Sequence, residues 1–339
     1  MGINCISCIN GRTIKSEIPV GIFNNSYFLK KIIKIQSNFR GFLQRKIKKN
    51  IKNHYLTPNK MNFKITNKIS YIIVNKVNIT KEQLDFLFQN YTPLNDNIKT
   101  QSIKLLYPNF AEFEGEWNPK TKEKHGRGIQ IWNDKSIYYG QWKNNKLNGK
   151  GKLIDPLGDI YEGDFVNDKL EGFGTYIHKK GSSYIGMWKN NLQDGKGKEI
   201  WPDKTEYEGE YKNGKKWGKG KLILSDGSNY IGDFVQNNIH GFGKYTWNNL
   251  NEYNGEWKNN IMDGKGEFKW NDGKIYKGNY YHDQKNGYGE LFWPNGKIYK
   301  GYWKNGKQNG EGELYDNIEK KWKKGLWVDG RRVKWEIEQ

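Results

Sequence analysis

Cysteine is nearly absent from this chain: 339 residues hold only Cys5 and Cys8, both at its start. No disulfide can therefore staple the rest of the sequence, and a reducing, cytoplasmic setting is expected. The Cys5-x-x-Cys8 pair has no third cysteine and no adjacent histidine, so no zinc or other metal site is expected. Long apolar runs are also missing. Nothing approaches the ~20 residues that span a bilayer, and the first residues lack the basic start and apolar stretch of a secretory signal. The five histidines are scattered, and no Ser-His-Asp or Cys-His set can be assembled around them. Arginine is scarce, six of 57 basic residues. Bidentate recognition of bases and phosphates favours arginine, so no specific nucleic-acid partner is expected.

What the chain has in abundance is a period. Tyr138, Tyr161, Tyr184, Tyr207, Tyr230, Tyr253, Tyr276 and Tyr299 recur every 23 residues. Two residues after each stands a glycine, and two further on another aromatic: Trp142, Phe165, Trp188, Tyr211, Phe234, Trp257, Tyr280 and Trp303. A fixed period of this size marks a repeat architecture, in which each unit buries its apolar face against its neighbours. Spacing of two places the tyrosine, glycine and second aromatic on one face of a β-strand. Helical spacing of three and four is absent. Seven residues later comes Gly-x-Gly, as in Gly149/Gly151, Gly172/Gly174 and Gly310/Gly312. Both glycines are expected on one face of the returning strand, leaving room for rings to lie flat.

Asn144-Asn145, Asn167-Asp168, Asn190-Asn191 and Asn213-Gly214 fall between the strands, where tight hairpins demand positive φ. Ser225-Asp226-Gly227, Asn271-Asp272-Gly273 and Pro294-Asn295-Gly296 join one repeat to the next. The pattern predicts an elongated, single-layer antiparallel array of about 18 strands in nine units. Alternate strand positions are charged: Glu162, Asp164, Glu208, Glu210 and Glu256 against Lys150, Lys196, Lys219 and Lys265. They read as a solvated, cross-paired face. The stretches Gly209–Lys215 and Gly301–Lys307 imitate a phosphate-binding loop. Lys216 and Gln308 stand where that loop needs Ser or Thr, so both are by-products of the repeat.

At these residues the chain resembles the MORN repeat family (membrane occupation and recognition nexus), whose motif runs Tyr-x-Gly-x-Trp, turn, Gly-x-Gly, Asp-Gly. The resemblance covers roughly Phe113 to Gly330. Phe113-x-Gly115-x-Trp117 opens a stretched first unit, Lys204 and Leu250 replace turn glycines, and Lys323-x-Gly325-x-Trp327 is a degenerate half-unit. It implies a hairpin scaffold without catalysis or cofactor, with phospholipid contact in some members. It also implies kinship with axonemal repeat proteins, hence a cytoskeletal or ciliary setting.

Charge is concentrated outside the repeats. Residues 1–110 hold 18 Lys or Arg against four Asp or Glu, a net +14 of the chain's +20. From Phe28 to Lys52 apolar residues follow helical spacing amid basic ones with no acid, the pattern of a calmodulin-type target or a membrane-surface helix. Ile35-Gln36-x-x-x-Arg40-Gly41-x-x-x-Arg45 matches the IQ motif. The resemblance implies a calmodulin- or centrin-like EF-hand partner. Ile35, Phe39 and Leu43 would fill its groove, Arg40 and Arg45 meet its acidic rim, and Gln36 bond its backbone. Gly2, Cys5 and Cys8 suggest acylation, although Ile6 stands where Ser or Thr is preferred.

The expected organisation is thus an acylated flexible start (1–26), a basic IQ helix (27–52), and a linker or cap with a short helix after Thr80 (53–110). The repeat array (111–330) and a C-terminal tail (331–339) follow. The expected function is a non-enzymatic scaffold whose aromatic face holds a helical or cytoskeletal partner or a second copy. The alternative is a peripheral tether on an anionic membrane.

Overall fold

The structure is a computed structural model and describes residues 98–107 and 111–336. The IQ segment, Gly2, Cys5, Cys8 and the short helix after Thr80 lie outside the described residues. The described chain is built of strands and divides into two compact units. One holds the residues up to Lys179 with Met187–Leu192; the other holds Lys180–Gly186 and everything from Gln193.

In the first unit β1 (Gln101–Leu106), β2 (Glu112–Asn118), β3 (Glu123–Ile131), β4 (Ile137–Lys143), β5 (Lys146–Ile154), β6 (Ile160–Val166) and β7 (Lys169–Ile177) pair antiparallel in chain order. The division falls within β8 (Ser183–Lys189). The second unit resumes at Gln193, the second residue of β9 (Leu192–Ile200), and holds β10 (Glu206–Lys212), β11 (Lys215–Ile223), β12 (Asn229–Val235), β13 (Asn238–Thr246) and β14 (Glu252–Lys258). It is completed by β15 (Ile261–Lys269), β16 (Ile275–Tyr281), β17 (Gln284–Phe292), β18 (Ile298–Lys304), β19 (Lys307–Asp316), β20 (Lys321–Val328) and β21 (Arg331–Trp335). These too pair antiparallel in sequence.

Turn chemistry sets this meander. Asn213 and Gly214 carry φ of 50° and 75°, both left-handed as a two-residue hairpin with right-twisted strands requires. Between repeats, the Asp226 carboxylate accepts the Ser228 N–H at 2.8 Å and the Gly227 N–H donates to Leu224 O at 3.0 Å. Such side-chain-closed turns are what Asp and Gly supply locally.

Three expectations need correction. The two glycines of each Gly-x-Gly pair do not share a face. In β10–β11, Gly209 pairs with Gly220, the register then slips, and Glu210 pairs with Trp217. The extra residue is a β-bulge, and Gly218 takes φ +64° there. Only Gly220 lies under a ring: a Cβ on it would stand 2.6 Å from Tyr207 Cε2. Second, the region expected as a linker or cap also holds an unforeseen edge strand, β1, which pairs Gln101 with Trp117 through Leu106 with Glu112. Third, the expected tail is strand β21. Asp329 and Gly330 at φ 48° and 82° make one more hairpin turn, the signal the C-terminal sequence carries for it. The described strands therefore number 21 rather than about 18.

Candidate interaction surfaces of the hairpin array

The repeat aromatics build the core, not a face. Every opening tyrosine from Tyr138 to Tyr299 is 0 % exposed, and Trp142, Phe165, Trp188, Tyr211, Phe234, Trp257, Tyr280 and Trp303 are all buried. In the first unit Tyr138 meets Trp142 and Phe165 edge-to-face, both at 5.2 Å, and Tyr161 meets Phe165 at 5.1 Å and Trp188 at 5.4 Å. In the second, Tyr207 stands perpendicular to Tyr211 and Phe234, and Tyr276 to Tyr280 and Trp303. Each such pair contributes about 0.5–1.5 kcal/mol beyond the area it buries. Some polar ends are satisfied inside: Tyr207 Oη donates to Glu210 O at 3.0 Å, and Trp257 Nε1 to Gly243 O at 3.0 Å. These sixteen rings are occupied with one another. The expectation that they grip a partner is corrected accordingly.

The hairpin turns carry a second function that positive φ alone did not reveal. Asn191 Oδ1 accepts the N–H of Leu170, 21 residues upstream, at 2.7 Å, and its own N–H donates to Leu170 O at 3.1 Å. The same reach joins Asp168 to Leu147, Asn237 to Lys216, Asn260 to Ile239 and Asp283 to Met262. Each turn thus bolts the start of one returning strand to the turn of the next repeat. Burial pushes the Asp283 carboxyl up to about 6 despite the Met262 amide that favours its charged form.

Polar residues interrupt the apolar columns at a few places. Lys216 and Glu199 are both buried, 3.6 Å apart, and Tyr211 Oη donates to Glu199 at 3.0 Å. Desolvation holds the Glu199 pKa above and the Lys216 pKa below their ordinary values. Lys124 sits beneath Phe113 and Trp142 and donates to Gln130, its pKa lowered well below normal by burial. Lys285, half-buried, has its ammonium 4.7 Å from the Trp270 ring, 4.8 Å from Trp303 and 5.1 Å from Tyr276.

Two surfaces remain for partners. The face opposite the rings is a field of cross-strand ion pairs, as expected: Lys150–Asp164 at 2.7 Å, Lys152–Glu162 at 3.1 Å and Lys219–Asp233 at 2.7 Å. It is punctuated by exposed Phe173, Ile231, Phe242 and Tyr302. On the ring side, Trp247, Trp270 and Trp293 are half-buried just before the inter-repeat turns. Sequence reasoning missed this column, although it too recurs every 23 residues. Among the described residues no three His, Cys, Asp or Glu are grouped to hold a metal ion. No described helix is long and apolar enough to cross a membrane.

Known solved structures give little guidance. The TCP domain of Drosophila melanogaster SAS-4 matches 63 % of this chain and 99 % of its own, at 13 % identity and a TM-score of 0.23. The TCP10 domain of Danio rerio CPAP matches 70 % and 99 %, at 9 % identity and the same TM-score. A virginiamycin B lyase of Staphylococcus aureus matches 74 % and 89 %, at 12 % identity and a TM-score of 0.14. At such scores the likeness carries no argument. Family models are decisive. The IQ calmodulin-binding motif matches residues 29–47. The MORN repeat matches eight times, at 138–159, 161–183, 184–206, 207–229, 230–252, 253–275, 276–298 and 299–317. With more than half its length so matched and its tyrosines packed in register repeat after repeat, the chain belongs to the MORN repeat family.

Proposed function

We propose that the chain is a non-catalytic scaffold that recruits a calmodulin- or centrin-like EF-hand protein through its IQ segment and presents protein partners on the hairpin array. The observation that carries this reading is the coexistence of two binding modules in one chain, eight MORN repeats and an IQ motif. The basic, acid-free run from Phe28 to Lys52 supports it, because EF-hand lobes have acidic rims around an apolar groove. A cytoplasmic, cytoskeletal or ciliary setting follows from the same reading. Ile35, Phe39 and Leu43 then fill the groove while Arg40 and Arg45 meet the rim.

The test is capture of purified calmodulin and centrin by the full chain, with and without calcium, against an Ile35→Glu/Arg40→Ala variant. Loss of capture in the variant supports the assignment, and undiminished capture refutes it. A membrane tether is the second reading, favoured by Gly2, Cys5 and Cys8 beside a net +14 in residues 1–110. A Gly2→Ala variant that leaves the membrane fraction of expressing cells would support it, and a native chain that never enters that fraction would exclude it.

A further inference from the structure

We infer that the tryptophan row of the second unit, Trp247, Trp270 and Trp293, binds an extended, acidic, proline-rich segment of another protein. This deepens the scaffold reading by naming a class of partner for the array, and it rests on that reading.

The spacing comes first. Phe268 lies between two of the indoles, its centroid 5.3 Å from Trp247 and 4.5 Å from Trp270. Those indoles are therefore separated by at most about 10 Å, the step that two strands at ~4.8 Å produce. A polyproline II helix advances about 9.3 Å in its three-residue turn. Every third residue of such a segment can then meet one indole, repeat after repeat. An α-helix offers side chains at i and i+7 about 10.5 Å apart and turns about 20° away at each step, so it drifts off the row.

The kind of contact on offer also favours this occupant. The backbone N–H groups of Trp247, Trp270 and Trp293 already donate to Asn251, Lys274 and Lys297 carbonyls, each at 2.9 Å. With those donors engaged, the row offers half-buried aromatic rings, Trp247 packing also on Tyr245 at 4.6 Å, which suits a segment recognised by aromatic grooves instead of by strand pairing. Half-burial keeps the rings reachable, whereas Trp201 in the same column is 3 % exposed.

Charge selects the sign. Lys285 stands between Trp270 and Trp303, Lys274 lies 5.8 Å from the Trp270 ring while pairing with Asp272, and Lys297 lies 5.3 Å from Trp293. Ammonium groups along an aromatic row favour carboxylates between the prolines of the occupant. This chain does not supply that occupant itself. Residues 1–97 contain only Pro19, Pro58 and Pro93, in a strongly basic stretch.

The test uses the full chain, titrated by calorimetry and tryptophan fluorescence with three peptides: (Pro-Pro-Glu)5, (Pro-Pro-Lys)5, and a helical peptide of the same length and negative charge. Two variants borrow residues from the same column of other repeats, Trp270→Leu after Leu224 and Lys285→Met after Met262. Saturable binding of (Pro-Pro-Glu)5, at least tenfold tighter than of (Pro-Pro-Lys)5 and weakened at least fivefold in both variants at unchanged melting temperature, supports the inference. If Trp270→Leu unfolds, Lys285→Met decides. Absence of saturable binding, equal affinity for both proline peptides, or preference for the helical peptide overturns it. A chain that captures calmodulin and ignores the proline peptides defeats this inference and leaves the scaffold standing.

Discussion

The carboxylate of Asp283 accepts the backbone N–H of Met262 at 2.7 Å, across two consecutive repeats. Asparagine does the same from the equivalent turn position at Asn145, Asn191, Asn237 and Asn260. An acid in this half-buried place has a cost that an amide does not.

That cost sets a pH dependence. Asp283 titrates near 6 in the folded chain against 3.8 for an ordinary aspartate, because burial penalises the charged form. Below pH ~4 the group is protonated folded or unfolded and contributes no penalty. Between pH ~4 and ~6 only the unfolded chain ionises fully, so stability falls as pH rises, and above ~6 the whole penalty is present. Asp283→Asn keeps the acceptor and removes the charge. It should raise stability at pH 7.5 by about 1 kcal/mol after allowance for solvent screening, with the gain vanishing near pH 4. Urea unfolding of both proteins across this range measures it. A gain that is equal at pH 4 and 7.5 would show that ionisation is not the cause.

The clamp itself is tested at Asn191, φ 70°, which holds fully buried Leu170. Asn191→Gly tolerates that φ and retains the backbone bond, but withdraws the acceptor from the Leu170 N–H. A loss of about 1–2 kcal/mol is expected, the usual cost of a buried donor left unsatisfied. Hydrogen exchange should quicken at the Leu170 amide before it does at its strand neighbours. An unchanged exchange rate there would mean that water replaces the side chain.

Much of this was legible in residues alone. Tyr207, Gly209 and Tyr211 at spacing two imply one strand face, and Asn213-Gly214 implies the turn. The bulge was hidden because Gly218-x-Gly220 has the same spacing as a flat strand pair. Only the register slip beyond Gly209 separates the two glycines. The tyrosine column looked like a binding trough because period reveals which residues align, not which neighbours cover them. Tyr207 is covered by Tyr211 and Phe234, from its own repeat and the next. Strands β1 and β21 lie outside the regular period, so periodicity could not announce them.

The two glycines should therefore fail differently. Gly220→Ala drives a Cβ to within 2.6 Å of Tyr207 Cε2 and Oη, a ring held on both sides. Gly218→Ala instead meets the far end of the Glu210 side chain, which can swing away, and retains mainly the left-handed strain of φ +64°. About 1–2 kcal/mol is expected for Gly218→Ala and more than 2 kcal/mol for Gly220→Ala, the range of core overpacking. Denaturant midpoints of the two variants decide the order, and equal losses would contradict the distinct placement.

The buried trio Glu199, Tyr211 and Lys216 offers the sharpest test of how repeats tolerate polar substitutions in their core. Leu153, Phe165 and Leu170 occupy the same three columns two repeats earlier, all buried. Lys216→Leu alone strands a buried Glu199 whose pKa is already raised by desolvation, and should cost about 3 kcal/mol at pH 7. Because the stranded acid is neutralised by protonation, that loss should shrink as pH falls toward 4. Replacing all three with leucine, phenylalanine and leucine removes both charges and the hydroxyl that Glu199 accepts from. The triple variant should then match or exceed the native chain in stability, as buried ion pairs replaced by well-packed apolar groups often do. A triple variant clearly weaker than the native chain would instead mean that the ion pair stabilises this repeat beyond what apolar packing can replace.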